Sequence, residues 1–381
     1  MGAREAAPAA SGAAGASVLE RYRQQLAERR LEEDAAQLAV CAKLDTLRER
    51  LLEAPRRGGA RIGRWLGLLG LAAARPPPRG LYLSGGVGRG KTFLMDLFCA
   101  SLPPEIARRV HFHRFMYGVH AQLARLDRRR SPLEHIARSL ARETRVLCFD
   151  ELYVADIADA MILGALFAGL FRRGVTLVAT SNVPPAELYQ EGLQRSRFLP
   201  AIELLERHLE VVRIGGATDY RLRQLTQAGI YFEAGAPDTA TRLGALFSCL
   251  ADGHPQAGGT IEIEGRPIAV VRAGGAVVWF EFAALCATAR SQNDYIEIAR
   301  EYQSVIVTDV PVLDAGHDDA ARRFIALVDE LYDRNVNLIV SAAAPAGELY
   351  RGERLRALFA RTASRLVEMQ SEEYLAREHK P

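Results

Sequence analysis

Leu81-Tyr82-Leu83-Ser84-Gly85-Gly86-Val87-Gly88-Arg89-Gly90-Lys91-Thr92-Phe93-Leu94 decides the fold. The run from Gly85 to Thr92 matches G-x-x-x-x-G-K-[ST], a cradle for phosphate. Leu81-Tyr82-Leu83 reads as the buried strand that should precede such a loop. Phe93-Leu94-Met95-Asp96-Leu97-Phe98 reads as a helix packed on a sheet. Four glycines let the backbone turn tightly and aim N–H groups at anionic oxygens, at a helix start whose dipole also favours negative charge. Gly85, Gly86, Val87, Gly88, Arg89, Gly90, Lys91 and Thr92 are therefore the expected nucleotide-binding residues. Lys91 would reach the β- and γ-phosphates of ATP, and the Thr92 hydroxyl would hold Mg²⁺.

A second signal turns binding into hydrolysis. Arg145-Val146-Leu147-Cys148-Phe149-Asp150-Glu151 is a short apolar run ending in two acids. Strands of a parallel sheet are buried on both faces and present ligand-binding groups at their carboxyl ends. Asp150 would join Thr92 in holding the metal shell, and Glu151 would polarise the attacking water. Two acids here would also suit a helix first turn, but the phosphate loop about sixty residues upstream favours the catalytic pairing. A further strand, Val175 to Ser181, ends in Asn182 ahead of Pro184-Pro185. Between the two strands, apolar positions from Ile157 to Phe171 make a helix with a broad apolar stripe. An amide at Asn182 can hold the lytic water or sense the γ-phosphate. Arginines at Arg195 and Arg197, and at Arg221 and Arg223, could stabilise charge on the transferring group, though spacing alone assigns none of them.

These segments resemble the ZapE family of AAA-like ATPases and its mitochondrial relatives. The resemblance is carried by Gly80 to Phe98, Val110 to Met116, Leu147 to Met161, Thr180 to Pro200, Asp219 to Leu225, Asp294 to Ala299, and Arg361 through Tyr374. It covers nearly everything after Ser17. It implies an ATPase centre of Lys91, Thr92, Asp150 and Glu151, with Asn182 as the sensor at the γ-phosphate. It further implies Arg195 as the finger reaching a neighbouring subunit of a ring-like homo-oligomer, and Arg221 or Arg223 as a second sensor. In a bacterium it points to action on septal cytoskeletal proteins at the division ring; in mitochondria, to quality control of inner-membrane proteins. Ser84, where the family usually carries Trp, and Leu152-Tyr153 depart from the pattern without touching phosphate or metal.

Composition sets limits on the remainder. The 381 residues can bury a large core, and no apolar run reaches the roughly 18 residues a membrane helix needs. A net charge of +3 does not argue for a nucleic-acid partner. Arginine clusters at Arg56-Arg57, Arg61 to Arg64 and Arg128 to Arg130 read as solvated faces, with an acidic partner or anionic lipid headgroups as the sharper alternative. The five cysteines lack C-x-x-C spacing and suit a reducing, cytoplasmic setting. His111-x-His113 is read as a strand with both rings on one face, and Phe112, Phe115, Met116 and Tyr117 as candidates to line a ring's central channel.

The expected architecture is α/β: a P-loop NTPase (AAA+-like) parallel sheet flanked by helices, with N-terminal helices and a second αβ unit at the C-terminus. It divides into a tail (1–16), a helical region (17–75), the ATPase core (76–225), a β-rich insertion or linker (226–278) and a C-terminal αβ unit (279–381). Ser17-x-x-Glu20 and Asp34-x-x-Gln37 are expected to box the starts of two N-terminal helices. Thr260 to Val271 should form a hairpin turning at Gly265-Arg266. In the C-terminal unit, Ser304 to Asp309, a helix from Ala321 to Asp333, and Val336 to Ser341 echo the order around Asp150. This is either a degenerate internal repeat, with Asp309 matching Asp150 and Ser341 matching Ser181, or the ordinary geometry of any strand–helix–strand unit.

Overall fold

The computed structural model describes residues 15–29, 33–53, 77–86, 88–126, 131–154, 156–215, 220–251 and 256–380. The three arginine clusters and the tail before residue 15 lie outside them. The chain forms two compact units. One comprises the residues to 216 apart from loop residues 87–89; the other contains 217–381.

The first unit is built on a parallel sheet of strands β1 (Gly80–Ser84), β2 (Ala107–His111), β3 (Val146–Asp150), β4 (Thr176–Ser181) and β5 (Leu209–Arg213), in the order β2-β3-β4-β1-β5. This is the helix-flanked parallel sheet of a P-loop NTPase. Every residue of β1, β3 and β4 is buried, which explains their unbroken apolar runs. The two-residue period sends alternate side chains to opposite layers. Leu81, Leu83, Val146, Cys148 and Val178 pack with α1 (Val18–Arg29), α2 (Ala35–Glu53) and α3 (Lys91–Ser101). Tyr82, Leu147, Phe149, Leu177 and Ala179 pack against α4 (Phe112–Arg125), α5 (Pro132–Glu143), α6 (Ile157–Arg172) and α7 (Leu199–His208). Gly80 lets β1 approach β4, since a Cβ there would lie 1.8 Å from the Leu177 carbonyl oxygen.

Local signals behave mostly as expected. The Ser17 box is present in both directions, Glu20 N–H donating to Ser17 Oγ at 3.1 Å and Ser17 N–H to Glu20 Oε2 at 2.8 Å. Asp34 caps α2 by accepting from Ala36 N–H at 2.7 Å, while the Gln37 carboxamide lies buried against Gly90 of the phosphate loop. His111-x-His113 is not a strand pair: β2 ends at His111 and α4 begins at Phe112. Phe112, Phe115 and Met116 are core residues that enclose Phe149, so of the expected channel group only Tyr117 is exposed.

The second unit begins earlier than the composition suggested. The division falls near residue 216, not 225, because α8 (Tyr220–Ala228) packs with α9 (Thr239–Leu250) and with the short helix Glu372–Leu375. The stretch 226–278 is not an insertion. It supplies β6 (Tyr231–Glu233), β7 (Gln256–Ala257) and β10 (Arg272–Gly274), and leads into β11 (Val277–Glu281). With β12 (Ser304–Val310) and β13 (Asn337–Ala342) these form a sheet ordered β6-β13-β12-β11-β10-β7. Within 226–278 the separate hairpin of β8 (Thr260–Ile263) and β9 (Arg266–Ala269) turns at Glu264-Gly265, both with positive φ, one residue before the expected place. Arg266 then anchors it to α10 (Gln292–Glu301) by two 2.6 Å bonds to the fully buried Asp294.

The second unit repeats the strand order of the first, as either reading of the C-terminal segment expects. Strands β11-β12-β13-β6 stand in the same parallel order as β2-β3-β4-β1. Between the paired strands, α6 and α11 (Asp318–Asp333) are each 16 residues long. The equivalence is shifted from the sequence alignment. Glu151 (φ 52°) donates its N–H to Thr180 Oγ1 at 2.9 Å, and Asp309 (φ 61°) donates its own to Ser341 Oγ at 3.0 Å. Asp309 therefore matches Glu151, and Thr308 stands where Asp150 does. Ala234 to Asp238, between β6 and α9, stands where the phosphate loop does and carries no lysine.

His379 closes the second unit, donating from Nε2 to the Ala299 carbonyl at 2.7 Å. Burial, with Arg221 and Arg334 nearby, pushes its pKa down to about 4. A ring held neutral in the folded state stabilises fully above its unfolded value of 6.5, and that stability is lost as pH falls below it. Thermal unfolding should show a loss of about 2 kcal/mol between pH 7 and pH 5 that the His379→Gln variant lacks.

Candidate active site

The carboxyl ends of β1, β3 and β4 bring four of the expected residues together. Lys91 opens α3, and its Nζ donates to the Gly85 and Gly86 carbonyls at 2.7 Å each and to Asn182 Oδ1 at 2.9 Å. The ammonium is thus held over the loop by neutral oxygens, with which phosphate oxygens would compete favourably because the bond becomes charge-assisted on both sides. Gly90 takes φ 76°, and a Cβ there would lie 2.6 Å from Gln37 Nε2. Gly85 is required by close packing, as a Cβ would meet the Ile214 carbonyl at 2.6 Å. Its N–H donates to Ser181 O at 3.3 Å, so this amide braces the loop against β4 and does not face phosphate.

Thr92 Oγ1 donates to Asp150 Oδ1 at 3.0 Å, and Thr180 Oγ1 donates to the same oxygen at 2.8 Å. Arg109 Nη2 donates to Asp150 Oδ2 at 2.6 Å, with His111 Nδ1 3.9 Å away. Asp150 has no exposed surface. Burial pushes its pKa up, but Arg109, then His111 and the hydroxyls of Thr180 and Thr92, outweigh it and leave the carboxyl below the usual range. The donor set fits a hard cation. With its proton committed to Asp150, the Thr92 hydroxyl keeps lone pairs for a metal. Asp150 Oδ1 takes both hydroxyls and Oδ2 takes Arg109, so this carboxylate would act on a metal chiefly through Thr92 and through its charge.

Glu151 follows in the left-handed region, which aims it differently from a strand residue. Its N–H is held by Thr180 Oγ1, so one hydroxyl orients both acids. Arg195 donates to the Ala186 carbonyl at 2.6 Å, and Arg197 approaches Met161 Sδ at 3.9 Å. Arg221 and Arg223 stand on α8 of the second unit, where Arg221 is close enough to His379 to depress its pKa. Sequence reasoning missed Arg109, Thr180 and Gln37. Thr180 and Gln37 were signalled only by polarity among buried neighbours, and Arg109, on the partly buried β2, by nothing.

A model describing AFG1-like ATPases matches residues 16–378. The chain belongs to the AFG1-like ATPase family. It is 48% identical over 364 residues to the cell division protein ZapE of Escherichia coli K12, covering 94% of this chain and 97% of that one. An uncharacterised protein of Schizosaccharomyces pombe is 43% identical over 72% of this chain and 62% of its own. Lactation elevated protein 1 homolog B of Danio rerio is 38% identical over 78% of this chain and 68% of its own. In this AFG1-like chain no helix among the described residues is long and apolar enough to cross a membrane, and no group of three or more His, Cys, Asp or Glu there could hold a metal by itself.

Thr180→Val keeps the shape of this buried residue but strips a donor from Asp150 and an acceptor from Glu151 N–H. It should lower stability by about 1–3 kcal/mol and depress phosphate release, measured by denaturant unfolding and a phosphate assay on the same preparation.

Proposed function

We propose that this chain is a magnesium-dependent ATPase that hydrolyses ATP to ADP and phosphate and uses the cycle to remodel protein assemblies. The observation that carries the reading is the single Thr180 hydroxyl that sets both Asp150 and Glu151 beside the Lys91–Thr92 cradle. Lys91 and the loop amides would bind the triphosphate, and Thr92 with Asp150 would hold Mg²⁺. The metal, when bound, would supply positive charge that offsets the charge of the triphosphate. Glu151 would accept a hydrogen bond from the attacking water and so polarise it, and Asn182, released from Lys91 by the nucleotide, would sense the γ-phosphate. Arg195 would act on a neighbouring copy in a ring-like homo-oligomer, and Arg221 or Arg223 would serve as the second sensor.

Likeness to the E. coli cell division protein along nearly its whole length favours a role at the septal ring, with cytoskeletal clients and a cytoplasmic or peripheral inner-membrane location. Capture of septal proteins by a hydrolysis-blocked variant tests this. Recovery of respiratory-chain subunits instead would favour inner-membrane quality control, and DNA-stimulated turnover a nucleic-acid loader.

Glu151→Gln should reduce phosphate release by at least about 100-fold while ATP affinity stays within a few-fold of the parent. Parent-like turnover would remove Glu151 as the base. Arg195→Ala should lower turnover about 1000-fold with little change in ATP affinity. Parent turnover per chain should rise with protein concentration; a flat dependence would refute action between copies.

A further inference from the structure

Arg109 lies outside every motif that led to the active site, yet it makes the shortest charged contact there. On β2, in register beside Cys148 of β3, it sends Nη2 to Asp150 Oδ2 at 2.6 Å and Nε to Asp96 Oδ1 at 2.9 Å. Asp150 is completely buried and Asp96 nearly so. Asp96 stands one helical turn after Thr92 on α3, so both side chains face β3 from the helix that begins at the phosphate loop. One guanidinium therefore ties the loop's helix to the strand that carries the two acids. With one cation set between two carboxylates, the cluster keeps a net negative charge suited to a dication.

We propose that Arg109 is a positioning residue of the metal centre. By bridging Asp96 and Asp150 Oδ2, it fixes Asp150 Oδ1 on the Thr92 hydroxyl and so presents the Thr92 lone pairs to Mg²⁺ bound with ATP. The planar fork of arginine can span both carboxylates at once, whereas the point charge of lysine cannot. A neutral side chain leaves Asp150 Oδ2 without its charged partner and the carboxylate held by the Thr180 and Thr92 hydroxyls alone, so the acceptor of Thr92 is less firmly fixed. Binding of ATP without metal uses Lys91 and the loop amides and is independent of this bridge.

The inference rests on the metal-dependent reading above, and one experiment separates the two. ATP binding to the full chain is measured by calorimetry, with magnesium and with EDTA, for the parent, Arg109→Lys and Arg109→Met. The parent should bind more tightly with magnesium. Arg109→Met should lose about tenfold of that gain while its affinity in EDTA stays within about twofold of the parent, and Arg109→Lys should fall between them. Either variant matching the parent's gain overturns the proposal. Equal weakening with and without magnesium also overturns it, since that is the signature of a purely structural ion pair. If Arg109→Met does not fold, Arg109→Lys decides by the same criterion. A parent with no magnesium gain would instead sink the metal reading itself.

Discussion

Asp150 carries a charge with no surface exposed to water, and a carboxylate in that position must be matched atom by atom. Two hydroxyls and one guanidinium do so, and each comes from a different element: Thr92 from the start of α3, Thr180 from β4, Arg109 from β2. The sheet order makes this convergence available. Because β4 lies between β1 and β3, the strand that feeds the phosphate loop and the strand that carries the acids are both within one side chain of Thr180 and Asn182. Packing of the sheet is thus also the assembly of the site.

The same arrangement explains why Glu151 can differ from its neighbour in role. Asp150 ends a strand, and its side chain points into a pocket that satisfies it. Glu151 is turned into the left-handed region, a conformation of order 1 kcal/mol or more unfavourable for a non-glycine residue, and the Thr180 hydroxyl holds its amide there. Adjacent acids thereby acquire separate environments, one sealed and one partly exposed.

The parts of this molecule that sequence disclosed are those in which local geometry forces residue identity. Gly80, Gly85 and Gly90 are demanded by backbone approach or positive φ, and doubly buried strands must read as apolar runs. What stayed hidden depends on long-range pairing. Nothing in Tyr231–Glu233 shows that three residues will lie beside Val340 to Ala342 more than a hundred positions on, so the segment looked like a linker. Arg109 was obscured because a basic residue in an arginine-rich chain looks like surface until Asp96 and Asp150 are seen to enclose it. The mistaken strand reading of His111-x-His113 failed for a local reason: Phe112 and Phe115 have a large core to enter, and a helix from Phe112 onward lets both reach Phe149.

The second sheet preserves the backbone device of the first without its chemistry. Asp309 is held as Glu151 is held, but Thr308 replaces the buried acid, and its hydroxyl receives the Trp279 indole N–H at 3.2 Å. Posture and reactivity are therefore separable in this chain: one strained corner is built beside a sealed carboxylate, and the other beside a threonine that serves an indole.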